Sequence, residues 1–148
     1  MSPEALPHSP PIADPAGLTP QAPSLLHANL AQLRRTEPEL AGRIEHAEPK
    51  KLTWTETKSG PLSAAIDFNG RPLPLACRYD PLAEARKLIE QVDFKKHAGI
   101  VVLGLGVGHH VGLIAPRLDP GALLIVFEPD LGLLRSVLER IDHTAWLG

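Results

Sequence analysis

Apolar positions recur along the chain with two different periods, and the changes of period divide it. Ser24 can cap a helix from Leu25 to Arg35, in which Leu26, Leu30 and Leu33 fall at i, i+4 and i+7 as one apolar stripe. Thr36-Glu37-Pro38-Glu39 reads as a capping box for a second helix, whose Leu40, Ala41 and Ile44 face the first. The two predict a short helical hairpin. From Lys51 the period becomes two: Leu52 and Trp54 alternate with Thr53 and Thr55, the pattern of a strand with one buried face. Ser59-Gly60-Pro61 turns the chain into a second strand, Leu62 to Phe68, with Ile66 and Phe68 on one face. Asn69-Gly70 predicts a tight hairpin turn, because both residues tolerate positive φ. The returning segment, Arg71 to Leu75, is confined to a sheet edge, since Pro72 and Pro74 have no N–H for a ladder.

Asp80-Pro81 opens a third helix, with Leu82, Ala85, Leu88, Ile89 and Val92 on its apolar side and Glu84, Arg86, Lys87 and Glu90 on a solvated face. The pattern then shifts again. Ile100 to Leu103 is continuously apolar, the signature of a parallel strand buried on both faces. Gly104-Leu105-Gly106-Val107-Gly108 follows, and His109 to Leu118 can form a helix with Val111, Ile114 and Leu118 inward. Ala122 to Phe127 is a second apolar run, ending at Glu128-Pro129-Asp130, and Asp130 can cap a helix that buries Leu133, Leu134, Val137 and Leu138. The order β-α-β-α is the opening half of a Rossmann-like sheet. The fold class is therefore α/β: a small α+β domain over residues 24–80, then the start of a Rossmann-like nucleotide-binding domain over 81–148. Two strands are too few for a doubly wound sheet, so the last ~50 residues are expected to be marginally stable or aggregation-prone alone.

Composition changes this picture at one end only. Of 16 prolines in 148 residues, Pro3, Pro7, Pro10, Pro11, Pro15, Pro20 and Pro23 crowd the start, so residues 1–23 read as a disordered tail. Its two PxxP matches, from Pro7 and from Pro20, lack a flanking arginine and read as solvated chain. A net charge of −2 argues against nucleic acid or an anionic membrane as partner. No apolar run approaches the roughly 18–20 residues of a membrane span. The first 30 residues lack the basic start and apolar core of a secretory signal. A cytoplasmic chain is expected.

The chemistry sits at the glycine run. Glycines allow a sharp turn and a close ligand approach, and the helix start beyond them offers unpaired N–H groups. Glu128, 22 residues after Gly106, stands at the tip of the second strand, where an acid can accept from both ribose hydroxyls. Gly104, Gly106, Gly108 and Glu128 are the candidate nucleotide contacts. The run is GxGxG, with His109 where a dinucleotide fingerprint has its last glycine or alanine. The S-adenosylmethionine type expects an acid two residues before its first glycine, and Val102 or Gly104 stands there instead. The alternative is that the glycines serve only a tight strand-to-helix turn. His109 and His110 are adjacent, so they diverge by about 100° on a helix and chelate poorly. No metal site is expected, and Cys77, the single cysteine, reads as a buried or incidental thiol.

Cys77-Arg78-Tyr79-Asp80-Pro81-Leu82-Ala83-Glu84-Ala85 resembles the S-R-Y-D-P-x-x-E-A element of the motility-associated-factor (Maf) flagellin glycosyltransferases, a family also likened to archaeal 6-hydroxymethylpterin diphosphokinases. Val101 to His110 resembles the family's strand and glycine turn, and Ile125 to Asp130 its second strand and acid. Asn29-Leu30 and Pro38 to Ala41 resemble the start of its N-terminal domain. Cys77 replaces a serine and His109 an aromatic residue. The resemblance implies the amino-terminal part of a longer enzyme, which would move a nonulosonic acid sugar from a CMP donor to Ser or Thr of flagellin. It leaves the catalytic residues unknown, implies no resident cofactor beyond the CMP-linked sugar as ligand, and makes flagellin a partner only of the intact protein. The pterin relatives would instead transfer diphosphate from ATP. A fragment of an S-adenosylmethionine-dependent methyltransferase and a non-catalytic interaction module are the other readings.

Overall fold

The computed structural model describes residues 23–148; the proline-rich segment up to residue 22, with its PxxP matches, lies outside the described residues. The elements run α1 (Leu25–Leu33), α2 (Pro38–His46), β1 (Leu52–Glu56), β2 (Leu62–Phe68), β3 (Arg71–Pro74), α3 (Pro81–Ile89), β4 (Gly99–Leu103), α4 (His109–Ile114), β5 (Leu123–Phe127) and α5 (Leu131–Leu138). β1, β2 and β3 form an antiparallel meander, and β4 and β5 pair in parallel, Val101 opposite Ile125. The architecture is α/β with a partial Rossmann-like sheet, as the pattern predicts.

Local signals set most boundaries. The Ser24 hydroxyl accepts from His27 N–H, and the Asp80 and Asp130 carboxylates accept from Ala83 and Leu133 N–H at 2.9 and 3.0 Å. Asn69 and Gly70 turn the β2–β3 hairpin with φ of 54° and 76°. The capping box at Thr36 does not form. Thr36 is drawn into the end of α1, its N–H and hydroxyl both donating to the Leu33 carbonyl, and α2 starts at Pro38 behind Glu37. Phe68 does not share a buried face with Ile66, because the sheet ends there and leaves it exposed. Leu88 is likewise exposed on α3, whose buried side is Pro81, Ala85 and Ile89.

Two apolar clusters carry the packing. One joins Ile89, Val102, Leu105, Val111, Ile114, Leu133 and Val137, with Leu52 and Trp54 of β1 laid against it. The other joins Leu30 and Leu33 of α1, Ala41 and Ile44 of α2 and Leu138 of α5, so the helical hairpin closes on α5. A polar node lies at that junction. The fully buried Asn29 amide donates to the carbonyls of Leu138 and Ile141, both at 2.8 Å, and its oxygen accepts from His143 N–H at 2.8 Å.

The strands β4 and β5 are not buried on both faces. Ile100, Val102, Leu124 and Val126 point into the core, while Val101, Leu103, Leu123, Ile125 and Phe127 form an uncovered apolar face, Leu103 79% exposed. Helices α4 and α5 cover only the other side.

Replacing Asn29 strands two buried backbone groups, the Leu138 carbonyl and His143 N–H, and the part-buried Ile141 carbonyl, a buried group costing about 1–3 kcal/mol unpaired. Asn29→Ala is expected to lower unfolding free energy by about 3 kcal/mol in urea titrations. Asn29→Asp, which can accept from His143 N–H but cannot donate to the two carbonyls, should recover only part of it.

Candidate functional site

The glycine turn is built between strand tips. Gly104 N–H donates to the Phe127 carbonyl at 2.8 Å, extending the β4–β5 ladder by one bond. Gly104, Gly106 and Gly108 then take φ of 84°, 55° and 83°, the left-handed region. The residues between them face the other way: Leu105 and Val107 are buried as anchors. Their burial is the part of the motif that glycine counting overlooks.

Glu128 meets this turn. One carboxylate oxygen accepts from Leu105 N–H at 3.0 Å and the other from Asp130 N–H at 3.1 Å. Glu128 therefore fastens the loop to the start of α5, a role that the 22-residue spacing does not reveal. A carboxylate offers about four acceptor positions, so two bonds leave capacity for a ligand hydroxyl.

The three glycines differ in what they face. A Cβ on Gly104 would meet nothing within 4 Å. One on Gly106 would sit 2.8 Å from the Leu75 carbonyl, and one on Gly108 would strike the His143 ring at 2.5 Å. Two of the three are thus required by the protein's own packing, and only Gly104 is open to an approaching molecule.

His143, which the sequence reading passed over, closes the turn from below. It is 3% exposed; its Nδ1 accepts from Trp146 Nε1–H at 3.1 Å, and its Nε2 has no partner of ordinary geometry. Burial pushes its pKa down to about 4, against a small opposing pull from the Val107 backbone and with the nearby His109 adding to the fall. His110 is also lowered, first by burial and further by His109, with the Gly104 backbone and Glu84 opposing. Both rings are therefore neutral at pH 7. Among the described residues no group of three His, Cys, Asp or Glu is placed to hold a metal ion.

Beyond Gly108 the turn borders a cleft with the Cys77–Asp80 segment and α3. Glu84, read from sequence as part of a solvated face, accepts from Cys77 N–H at 2.7 Å and so pins that segment. His109 Nε2–H donates to the Leu62 carbonyl at 2.7 Å, tying α4 to the meander.

No family model and no curated protein sequence matches the chain. Its fold is similar to that of a solved structure, the MAf glycosyltransferase from Magnetospirillum magneticum AMB-1, with a TM-score of 0.59 at 18% identity. The match covers 83% of this chain and 25% of that one. The chain thus shares a Maf-like fold and spans about a quarter of that protein's length. Among the described residues no helix is long and apolar enough to cross a membrane.

Two outcomes follow from the buried ring. As pH drops below about 6.5, the unfolded chain takes up a proton that folded His143 refuses. Stability is full above that pH and falls by roughly 3 kcal/mol on approaching pH 4. His110 contributes with the same sign. Urea titrations between pH 7 and 4.5 should show this slope, and His143→Gln should reduce it. Gly108→Ala combines a left-handed φ with a clash against that ring and should cost about 3 kcal/mol, whereas Gly104→Ala, strained but unobstructed, should cost about 1.

Proposed function

We propose that the chain serves a Maf-like glycosyltransferase and that the tips of β4 and β5 belong to its nucleotide-sugar site. On the same reading the donor is a CMP-linked nonulosonic acid and the acceptor a Ser or Thr hydroxyl of flagellin. What carries the reading is the fold likeness to MAf glycosyltransferase, which extends over 83% of this chain. The local geometry supports it: an acid and a glycine turn meet at the carboxyl ends of parallel strands, where open α/β sheets place their ligands. Gly104, with its open Cα face, and the spare acceptor positions of Glu128 are the contacts left for a nucleotide. Gly106 and Gly108 act by letting the turn close on Leu75 and His143.

A second reading rests on that same closure. If all the glycines serve packing, the unit is a non-catalytic interaction module whose apolar β4–β5 face meets another surface. A phosphokinase-like or methyltransferase-like role predicts ATP or S-adenosylmethionine as ligand instead of CMP.

Calorimetric titration separates these readings. CMP should bind saturably, with ATP and S-adenosylmethionine inert. Loss of the Glu128 carboxylate should weaken CMP by at least ~10-fold, the worth of one charge-assisted hydrogen bond. Asp130→Ala, which removes a helix cap and the ion pair with Lys50 but no proposed ligand contact, should leave the affinity intact. If the longer protein binds none of the three nucleotides, the nucleotide-sugar reading falls in favour of the interaction module.

A further inference from the structure

The glycine turn leads, through Val107, into a cleft of about 520 Å³ bounded by the Pro74–Tyr79 segment, α3 and the start of α4. Small-molecule sites occupy about 300–1,000 Å³ and combine apolar walls with a few convergent polar groups. Here Leu75, Ala85, Leu88 and Val107 supply walls, and Arg78, Tyr79, His109 and His110 supply polar groups.

Most of the polar groups near the cleft are already committed. Glu84 holds Cys77 N–H, and His109 holds the Leu62 carbonyl. Arg78 is different. Its guanidinium donates to the Tyr79 hydroxyl at 2.7 Å and lies 4.9 Å from that ring's centroid. Among the described residues no carboxylate lies within ion-pair distance of it, as for most cations of the chain outside Arg34, Lys50, Lys96 and Arg135; what sets it apart is its place at the cleft. Tyr79 and Leu88 line the cleft 67% and 55% exposed, so large apolar surface borders a cation without a direct ion pair, with Glu84 in the same cleft held by Cys77 N–H. Neither side chain contributes to the two core clusters.

We propose that this cleft binds a phosphate-bearing small molecule of nucleotide size, with its phosphate on the Arg78 guanidinium and its flat or apolar body against the exposed Tyr79 and Leu88. A guanidinium fork matches phosphate oxygens in a bidentate way, and an aromatic face accepts a planar ring. The glycine turn is a poorer phosphate cradle here than its spacing implies. The Cα faces of Gly106 and Gly108 are filled, and the N–H groups of Gly104, Leu105 and Gly108 are already bonded. The proposal deepens the nucleotide-sugar reading and rests on it for the nature of the ligand's body; the phosphate seat on Arg78 stands without it.

The test titrates CMP and, separately, inorganic pyrophosphate into the chain and into Arg78→Gln and Leu88→Glu. Both positions are exposed, so melting temperatures should match the parent's, which checks folding. CMP affinity should fall at least ~10-fold in both variants, through loss of the cation in one and repulsion by an added carboxylate in the other. Unchanged CMP affinity in both variants would overturn the cleft while leaving the nucleotide-sugar reading in place. Pyrophosphate binding that disappears in Arg78→Gln, without CMP binding, would support the phosphate seat and remove the nucleotide. Binding of neither probe would overturn the cleft.

Discussion

The side-chain amide of Asn29 is the junction on which the rest is hung. It lies on α1, yet its three partners are more than 100 residues away, at the end of α5 and in the turn beyond it. A helix end buried without partners for its last carbonyls is costly. One amide, with two donors and an acceptor, answers that cost at Leu138, Ile141 and His143 together. Fixing the His143 backbone places its ring, Trp146 then holds the ring edge-on with centroids 5.3 Å apart, and the ring fills the space beneath Gly108. Only a residue without Cβ fits above it. The left-handed φ of Gly108, which starts α4 and opens the cleft, is thus traceable to a contact made by the first helix.

The uncovered face of β4 and β5 follows from a different constraint. An apolar run of five residues has no polar position to mark an outer face, so it reads as buried on both sides. In the structure the same residues alternate, because α4 and α5 lie on one side and neither helix reaches the other. The contiguous exposed apolar residues are of the kind that marks a surface made for contact with more protein. They also supply the physical basis for the instability expected of a two-stranded parallel sheet, whose edges have no further ladder partners.

What was legible in the sequence is what is decided within a few residues. Asp80, Asp130 and Ser24 cap the helices they precede, and Asn69-Gly70 turns the hairpin, because the groups that reward these side chains lie two or three positions away. Pro72 and Pro74 mark an edge strand for the same local reason. The order of elements, and with it the fold class, came from these signals and the change of apolar period. Thr36 misled because two local satisfactions competed, and the end of α1 won over the start of α2. Asn29, His143 and the exposure of Leu88 were not legible, since each depends on what a distant segment brings opposite. At the turn, the sequence brought Glu128 and the glycines together correctly in space. It left open that the acid already holds two amides, and that Gly106 and Gly108 face protein.

Charge decides how a nucleotide could use the two sides of this turn. Leu105 and Glu128 border a hollow of about 600 Å³ between β5 and the helical hairpin, whose ionisable side chains are Glu37 and Glu128, both acidic. A phosphate placed there would meet like charge in a partly desolvated setting, which is strongly unfavourable. Neutral hydroxyls suit it, because a carboxylate accepts from them. The cleft that holds Arg78 also holds Glu84, whose carboxylate is engaged by Cys77 N–H, and burial keeps the His110 ring neutral; on the proposal above the anion sits at its Arg78 side. Gly104 lies between the two, bonded to Phe127 beside Glu128 on one flank and close to the His110 ring on the other. On the same proposal, a ribose on the acid and a phosphate on the arginine would belong to one molecule passing the open Cα face of Gly104. Packing accounts for Gly106 and Gly108, whose Cα faces meet Leu75 and His143, and leaves the Gly104 face open.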